Sequence, residues 1–181
     1  MFTLQLGHPK IFSNKVGEFS SISQALRSCF RPNDEASFLF WNKVPIRMRY
    51  QTDLAASIDH VIAMCWLMSS EQKGASFVTL QTQLCSLTVE FQWQDETVDF
   101  HLIAQPHDEL YASFAAALNA HSELSCSKQE FLCEWNGLLE QVNQLFVQAG
   151  ANIVDGKERR KLELLQTTIE NIGSYGRLYI Q

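Results

Sequence analysis

Small and helix-breaking residues are scarce in this chain: 181 residues include eight glycines and four prolines. The glycines never gather into GxGxxG or GxxxxGK[ST], so the phosphate-cradling loops of nucleotide-binding folds are missing. Gly173-Ser-Tyr-Gly176 comes closest, but it follows a helix-patterned segment and reads as a helix C-cap. HExxH and GxSxG are also lacking. Cationic side chains are outnumbered, 14 against 20 acids, and a net charge of −6 argues against recognition of a phosphate backbone. No apolar run is long enough to span a membrane, since the richest, Leu54 to Met68, is short and carries Asp59 and His60. The N-terminal MFTLQLGHPKIF has no basic region, apolar core or small-residue cleavage site, so we expect a cytoplasmic protein. Five cysteines, an odd number without CxxC spacing, point to reduced thiols rather than a disulfide framework. Cys126 and Cys133 lie near each other without a histidine at ligand spacing, so core thiols are favoured over zinc. No metal and no cofactor is expected.

Apolar and aromatic material is plentiful, with 46% hydrophobic residues, twelve Phe and four Trp, enough for one core without staples. FTLQL begins as a strand, broken at Gly7-His8-Pro9. Ser21-Ile-Ser-Gln24 has capping-box spacing, and Ile22, Leu26 and Phe30 follow at helical intervals until Pro32. Residues 37–50 are β-rich, with Pro45 at a bulge or edge position. Thr52-Asp53 opens a helix whose apolar face is Leu54, Ile58, Val61, Ile62, Cys65 and Met68, widened by Met64 and Trp66. Asp108–His121 reads as a small-residue helix with Leu110, Phe114, Ala117 and Leu118 on one face. Ser127-Lys-Gln-Glu130 caps a helix of Phe131, Trp135, Leu138, Val142, Leu145 and Ala149, with Gly150 at its C-cap. Asp155 caps a last helix, carrying Leu162, Leu165, Ile169 and Ile172 and ended by Gly173, after which RLYIQ returns as a strand. The basic run Lys157–Lys161 reads as a solvated face. The order gives a single α+β domain over 1–181: an antiparallel sheet with a β-meander, packed against several helices.

The sharpest pattern is LTVEFQWQDETVDFHLIAQ, residues 87–105, with FVTLQTQLC before it as a third strand. A turn centred on Asp95-Glu96 sets Trp93 opposite Val98, Phe91 opposite Phe100 and Val89 opposite Leu102 on one apolar face. Gln92 then meets Asp99, and Glu90 meets His101, on the polar face; a one-residue slip would bury polar groups. Three readings of that face compete. Glu90 and Asp99 beside His101 suit acid–base catalysis only in a desolvated pocket with a nucleophile, and no nucleophile neighbours them in sequence. A plain solvated face, or a recognition surface, therefore comes first. With Asp95 and Glu96, four carboxylates crowd one hairpin and suit a basic partner. A Cys–His nucleophile pair is the remaining catalytic alternative, weak because chance pairings are numerous. All four tryptophans, Trp41, Trp66, Trp93 and Trp135, belong to apolar patterns and default to the core, with Trp41 the first candidate for exposure.

WNKVPIRMRYQTDLAASIDHVIAMCWLM runs into Tyr50-x-x-Asp53 and an apolar helix. It is followed by Val89-x-Phe91-x-Trp93, Glu130-Phe-x-x-Glu-Trp135-x-x-Leu-Leu139 and Tyr175-Gly-x-Leu-Tyr179. Across residues 38–180 this order resembles small immunity proteins of bacterial polymorphic toxins, of the Rhs-type or type VI secretion systems. The resemblance implies a non-enzymatic protein that binds one cognate toxin domain, the C-terminal part of a secreted effector, and blocks its active site or substrate entry. It carries over no catalytic residue. The candidate contact set, read from the residues, is Glu90, Gln92, Asp95, Glu96, Asp99, His101 and Trp41. The partner surface is expected to be basic, with no nucleic acid and no membrane involved. The rivals are a small cytosolic enzyme using His101 with Glu90 or a cysteine, and an acidic secretion chaperone that dimerises and holds an extended segment.

Overall fold

The structure is a computed structural model that describes residues 1–11, 17–30 and 36–178, with side chains to 173. Pro32 lies outside the described residues; of the strand expected at RLYIQ, Arg177 and Leu178 are instead helical, and residues 179–181 lie outside the described residues.

Among the described residues, two antiparallel sheets and a pair of short parallel strands carry the β structure. In the first, β1 (Phe2–Gln5) pairs with β3 (Ala36–Trp41), which pairs with β4 (Val44–Arg49). Asn42 and Lys43 both take positive φ, 46° and 73°, which closes a tight β3–β4 turn. Pro45 lies in the edge strand β4, where a missing N–H breaks no ladder bond. The second sheet runs β5 (Lys73–Gln81), β6 (Cys85–Gln94), β7 (Thr97–Pro106) and β8 (Glu123–Ser127) in sequence order. The register of β6 with β7 is the one read from the alternation, with Phe91 opposite Phe100 and Glu90 opposite His101. The sequence reading does not contain β8: it returns after residues 107–122 to pair with β7, so Pro106 ends a strand without closing the sheet. The remaining pair, β2 (Glu18–Phe19) and β9 (Asn152–Ile153), is parallel and brief.

The helices are α1 (Ile22–Cys29), α2 (Ala55–Ser70), α3 (Ala112–Asn119), α4 (Lys128–Ala149) and α5 (Gly156–Leu178). Most begin where side chains take up orphan amides. Ser21 accepts from Gln24 N at 3.0 Å, and Ser127 accepts from Glu130 N at 3.4 Å. Asp155 accepts from Lys157 N and Glu158 N at 2.9 and 3.1 Å. Gly150 caps α4 with φ 60°, a conformation that a side chain disfavours. α2 is preceded by a π-helical turn, Tyr50–Leu54, rather than opening at Thr52-Asp53. In the segment of α3, Ala115 and Leu118 are buried and Phe114 packs against the core, while Ala117 is exposed, as is Leu110, which a short 3-10 turn, Glu109–Tyr111, sets off from the helix. α5 continues through Gly173 and Gly176 to Leu178, so neither the expected stop nor the C-cap at 173–176 forms.

The buried side chains make one contiguous cluster in which α4 joins the two large sheets. Phe131 lies 4.6 Å, centroid to centroid, from Phe2 of β1 and 4.5 Å from Phe100 of β7. Trp41 meets Phe100 edge-on at 6.0 Å. Leu87, Val89, Phe91, Trp93, Val98, Phe100, Leu102 and Ala104 are all buried on the inner face of the second sheet. At about 1.5–3 kcal/mol for each large apolar side chain, this face holds the meander rigidly in place. Its outer face is the one that carries the polar candidates.

Candidate functional site

Strand pairing extends each polar position into a row across four strands. Phe77, Glu90, His101 and Glu123 form one row; Ala75, Gln92, Asp99 and Ser125 form the next. An open groove of about 500 Å³ lies over them. The structure thus brings Glu90, Gln92, Asp99 and His101 together, as the alternation implied, and adds Glu123 and Phe77, which the sequence reading did not select.

His101 has Glu90 opposite it on β6, but its Nδ1 is joined to Glu123 Oε1 on β8 at 2.6 Å. Both groups are solvated, with side chains 43% and 77% exposed. That setting lacks the desolvation that sharpens general acid–base chemistry. Glu123 was invisible as a partner because the strand holding it was not expected. Phe77 had a usable signal: Val78 and Leu80 are buried, so Phe77 and Thr79 must point outward. At 68% exposure, Phe77 is a large aromatic standing in water beside Glu90. Ile103, opposite Thr88, is the other large exposed apolar group of this face.

Asp95 and Glu96 sit apart at the hairpin tip, where Asp95 takes φ 51°. Beneath the tip, Lys128 donates its backbone N–H to Glu96 O at 2.8 Å, and its Nζ donates to Glu71 O at 3.1 Å. The same carbonyl, at the C-terminal end of α2, accepts from Trp93 Nε1 at 2.9 Å. An ammonium at that end complements the helix dipole. Burial pulls the Lys128 ammonium below its usual value, against the pull of Glu96 and Asp95. The acidity of the tip is therefore partly balanced from within, whereas Glu90, Asp99 and Glu123 carry the charge of the face itself.

Trp41 does not belong to the surface. It is 2% exposed, donates Nε1–H to His121 O at 2.9 Å, and packs on Phe100. Its alternation partners in β3 gave no hint of which face α4 and the second sheet would cover. Trp66, expected in the core, is the partly exposed tryptophan.

The thiols offer little nucleophilic character. Burial pushes Cys126 up to about 11, with Glu130 adding to the effect, and Cys126 lies opposite Val98, on the sheet face away from His101. Burial also raises Cys29, Cys65, Cys85 and Cys133, the last with help from Glu134. Thiols held protonated attack poorly. His60 Nδ1 pairs with Thr79 O, and His107 Nε2 with Thr82 O, each at 3.0 Å. Within the basic run, Lys161 is partly exposed but paired: it reaches Asp59 on α2 and Glu158, each at 2.5 Å. Among the described residues, no three His, Cys, Asp or Glu side chains gather as a metal-ligand cluster. Nor is any helix among them long and apolar enough to cross a membrane.

Comparison with protein-family models, with curated proteins and with solved structures finds no match to this chain.

Proposed function

We propose that this chain is an inhibitory binding protein, an immunity protein that holds a cognate toxin domain against the outer face of the β5–β8 sheet in the cytoplasm. The observation that carries this reading is the row Phe77–Glu90–His101–Glu123: an exposed aromatic set among carboxylates on a rigid sheet. Exposed aromatics of this kind are the usual anchors of binding energy, and a charged surround steers a partner of opposite sign. The net charge of −6 acts in the same direction. The solvated His101–Glu123 pair and the protonated thiols favour binding over reaction. The partner class is taken from the resemblance of the residue pattern to toxin immunity proteins.

The test is a capture experiment followed by a growth assay. Tagged protein from its native bacterium should co-purify in equal amount with one effector domain, and co-expression should protect cells from that domain. The pair Glu90→Lys/Asp99→Lys should retain the fold and lose both properties. Undiminished binding by this double variant would sink the proposed surface, and loss of protection in His101→Ala without loss of binding would favour an enzyme.

A further inference from the structure

Sheet edges are ready templates for another strand, and proteins usually blunt them. In this structure each edge strand is blunted at particular positions. On β1, Leu4 N donates to the Glu134 carboxylate at 2.6 Å. On β4, Pro45 removes one donor, and Arg49 N is taken by Asp53 at 2.9 Å. On β8, Glu123 O accepts from the Asn42 amide at 2.8 Å. Past the end of β8, the Asn119 side chain engages both N and O of Ala104, at 2.7 and 3.0 Å.

β5 is treated in one half only. Gln81 N donates to Ser57 Oγ at 2.9 Å, and Thr79 O meets His60 Nδ1 at 3.0 Å, both from α2. These contacts show that the odd-numbered residues of β5 turn their N–H and C=O away from β6. Consistently, the even-numbered Gln72 gives its O to Asp95 N at 2.9 Å on the β6 side. By the same alternation the outward groups of Lys73, Ala75 and Phe77 form an edge. Among the described residues nothing takes up those of Ala75 and Phe77. Lys73 is the single charged residue at that edge.

We propose that the edge at Lys73–Phe77 receives an extended, basic strand of a protein partner, which adds antiparallel to β5 as a fifth strand of the sheet. The proposal rests on the docking reading above and specifies how the partner is gripped. Charge chooses the occupant. An added strand about 4.8 Å beyond β5 places alternate side chains on the acidic outer face. One of them lies beside Phe77, where an arginine stem would cross the ring toward Glu90, the next residue of the row. The residue two further along lies beside Ala75, whose methyl leaves the way open toward Gln92 and Asp99. The third meets Lys73 and is best acidic. The recognised segment is therefore basic–x–basic–x–acidic, read from the Phe77 end toward Lys73, with the backbone supplying the remaining bonds.

The probe is a fluorescein-labelled peptide that alternates arginine with valine and ends in glutamate, followed by fluorescence anisotropy at low salt. A peptide with glutamates in place of its arginines serves as the control. The arginine peptide should bind, and N-methylation at the residues facing β5 should weaken it about tenfold or more. N-methylation at the intervening residues should change affinity little. Ala75→Pro removes an outward N–H and no ladder bond, so the sheet should survive while binding falls about tenfold. Hydrogen exchange guards against misfolding of that variant: in the unaltered protein, the Ala75 and Phe77 amides should exchange fast alone and slowly with peptide. Absence of binding, or binding indifferent to both N-methylation and Ala75→Pro, would overturn strand addition. Because face docking is tested separately through Glu90 and Asp99 with the folded partner, that result would leave it standing. Self-association abolished by Ala75→Pro would identify a second copy as the occupant and also overturn the proposal.

Discussion

Replacing Gly74 by alanine tests the packing that holds the proposed binding edge in place. Gly74 lies directly opposite Trp93, and a Cβ built on it would sit 2.5 Å from Trp93 Cζ2 and 2.6 Å from Cη2. Real carbon contacts do not come so close, so the indole or the strand must move. The indole is not free to do so, because its N–H is committed to Glu71 O at 2.9 Å and its ring stacks on Phe91 at 5.7 Å. Overpacking of this kind costs about 1–3 kcal/mol. Loss of the indole hydrogen bond would add about 1 kcal/mol. Against this, removing a glycine from a strand stabilises by about 0.5–1 kcal/mol. The net expectation is a loss of about 2 kcal/mol, or about 4–8 °C in Tm for a chain of this size. Urea unfolding of Gly74→Ala, Trp93→Leu and the double variant forms a cycle. The cost of Gly74→Ala should nearly vanish in the Trp93→Leu background, with a coupling of about 1 kcal/mol or more. An alanine variant as stable as the parent, or more stable, would refute the reasoning, since propensity alone predicts that sign.

Two further outcomes follow from thiol and lysine chemistry. In the folded protein Cys133, the exposed thiol, should react first with a disulfide reagent, and slowly at pH 8 because its pKa is raised; the buried Cys29, Cys65 and Cys85 should react only on unfolding. Rapid reaction of several thiols in the native state would contradict the packing. For Lys161, burial lowers the pKa, but the hydrogen bonds and charges of Asp59 and Glu158 outweigh it and leave the group raised. The folded state then holds this proton more tightly, so the ion cluster's contribution is full below the ordinary lysine value near 10.5 and fades as pH rises through the folded value. With partly exposed partners it is worth about 1 kcal/mol or less. Chemical denaturation of Lys161→Met beside the parent should show a gap at pH 8 that narrows by pH 11; a gap that widens would be the wrong sign.

How far the candidate site was readable depends on how local its causes are. The alternation from Leu87 to Ala104 dictated the β6–β7 register, because a slip of one residue would exchange a buried face for a wet one. It therefore also placed Glu90, Gln92, Asp99 and His101 on one surface. The caps at Ser21, Ser127 and Asp155, and the stop of α4 at Gly150, were equally legible, since each is settled within one helical turn. The α+β class followed from the order of those segments.

Other features had no local cause. Glu123 partners His101 because β8 crosses back over a distance that no short-range pattern encodes. Trp41 is buried because the second sheet and α4 happen to cover its side of β3, while Trp66 is left partly open by what does not cover it. Lys128 balances the hairpin tip only because α4 starts directly beneath it. The unblunted half of β5 emerged from the way α2 lies, with Ser57 and His60 reaching Gln81 and Thr79 but no described residue bonding the outward groups of Ala75 and Phe77. Backbone torsion and side-chain alternation act over a few residues and are written in consecutive letters. Which surface meets which, and which edge stays open, depends on contacts between segments far apart in the chain, and those are settled only when the whole chain packs.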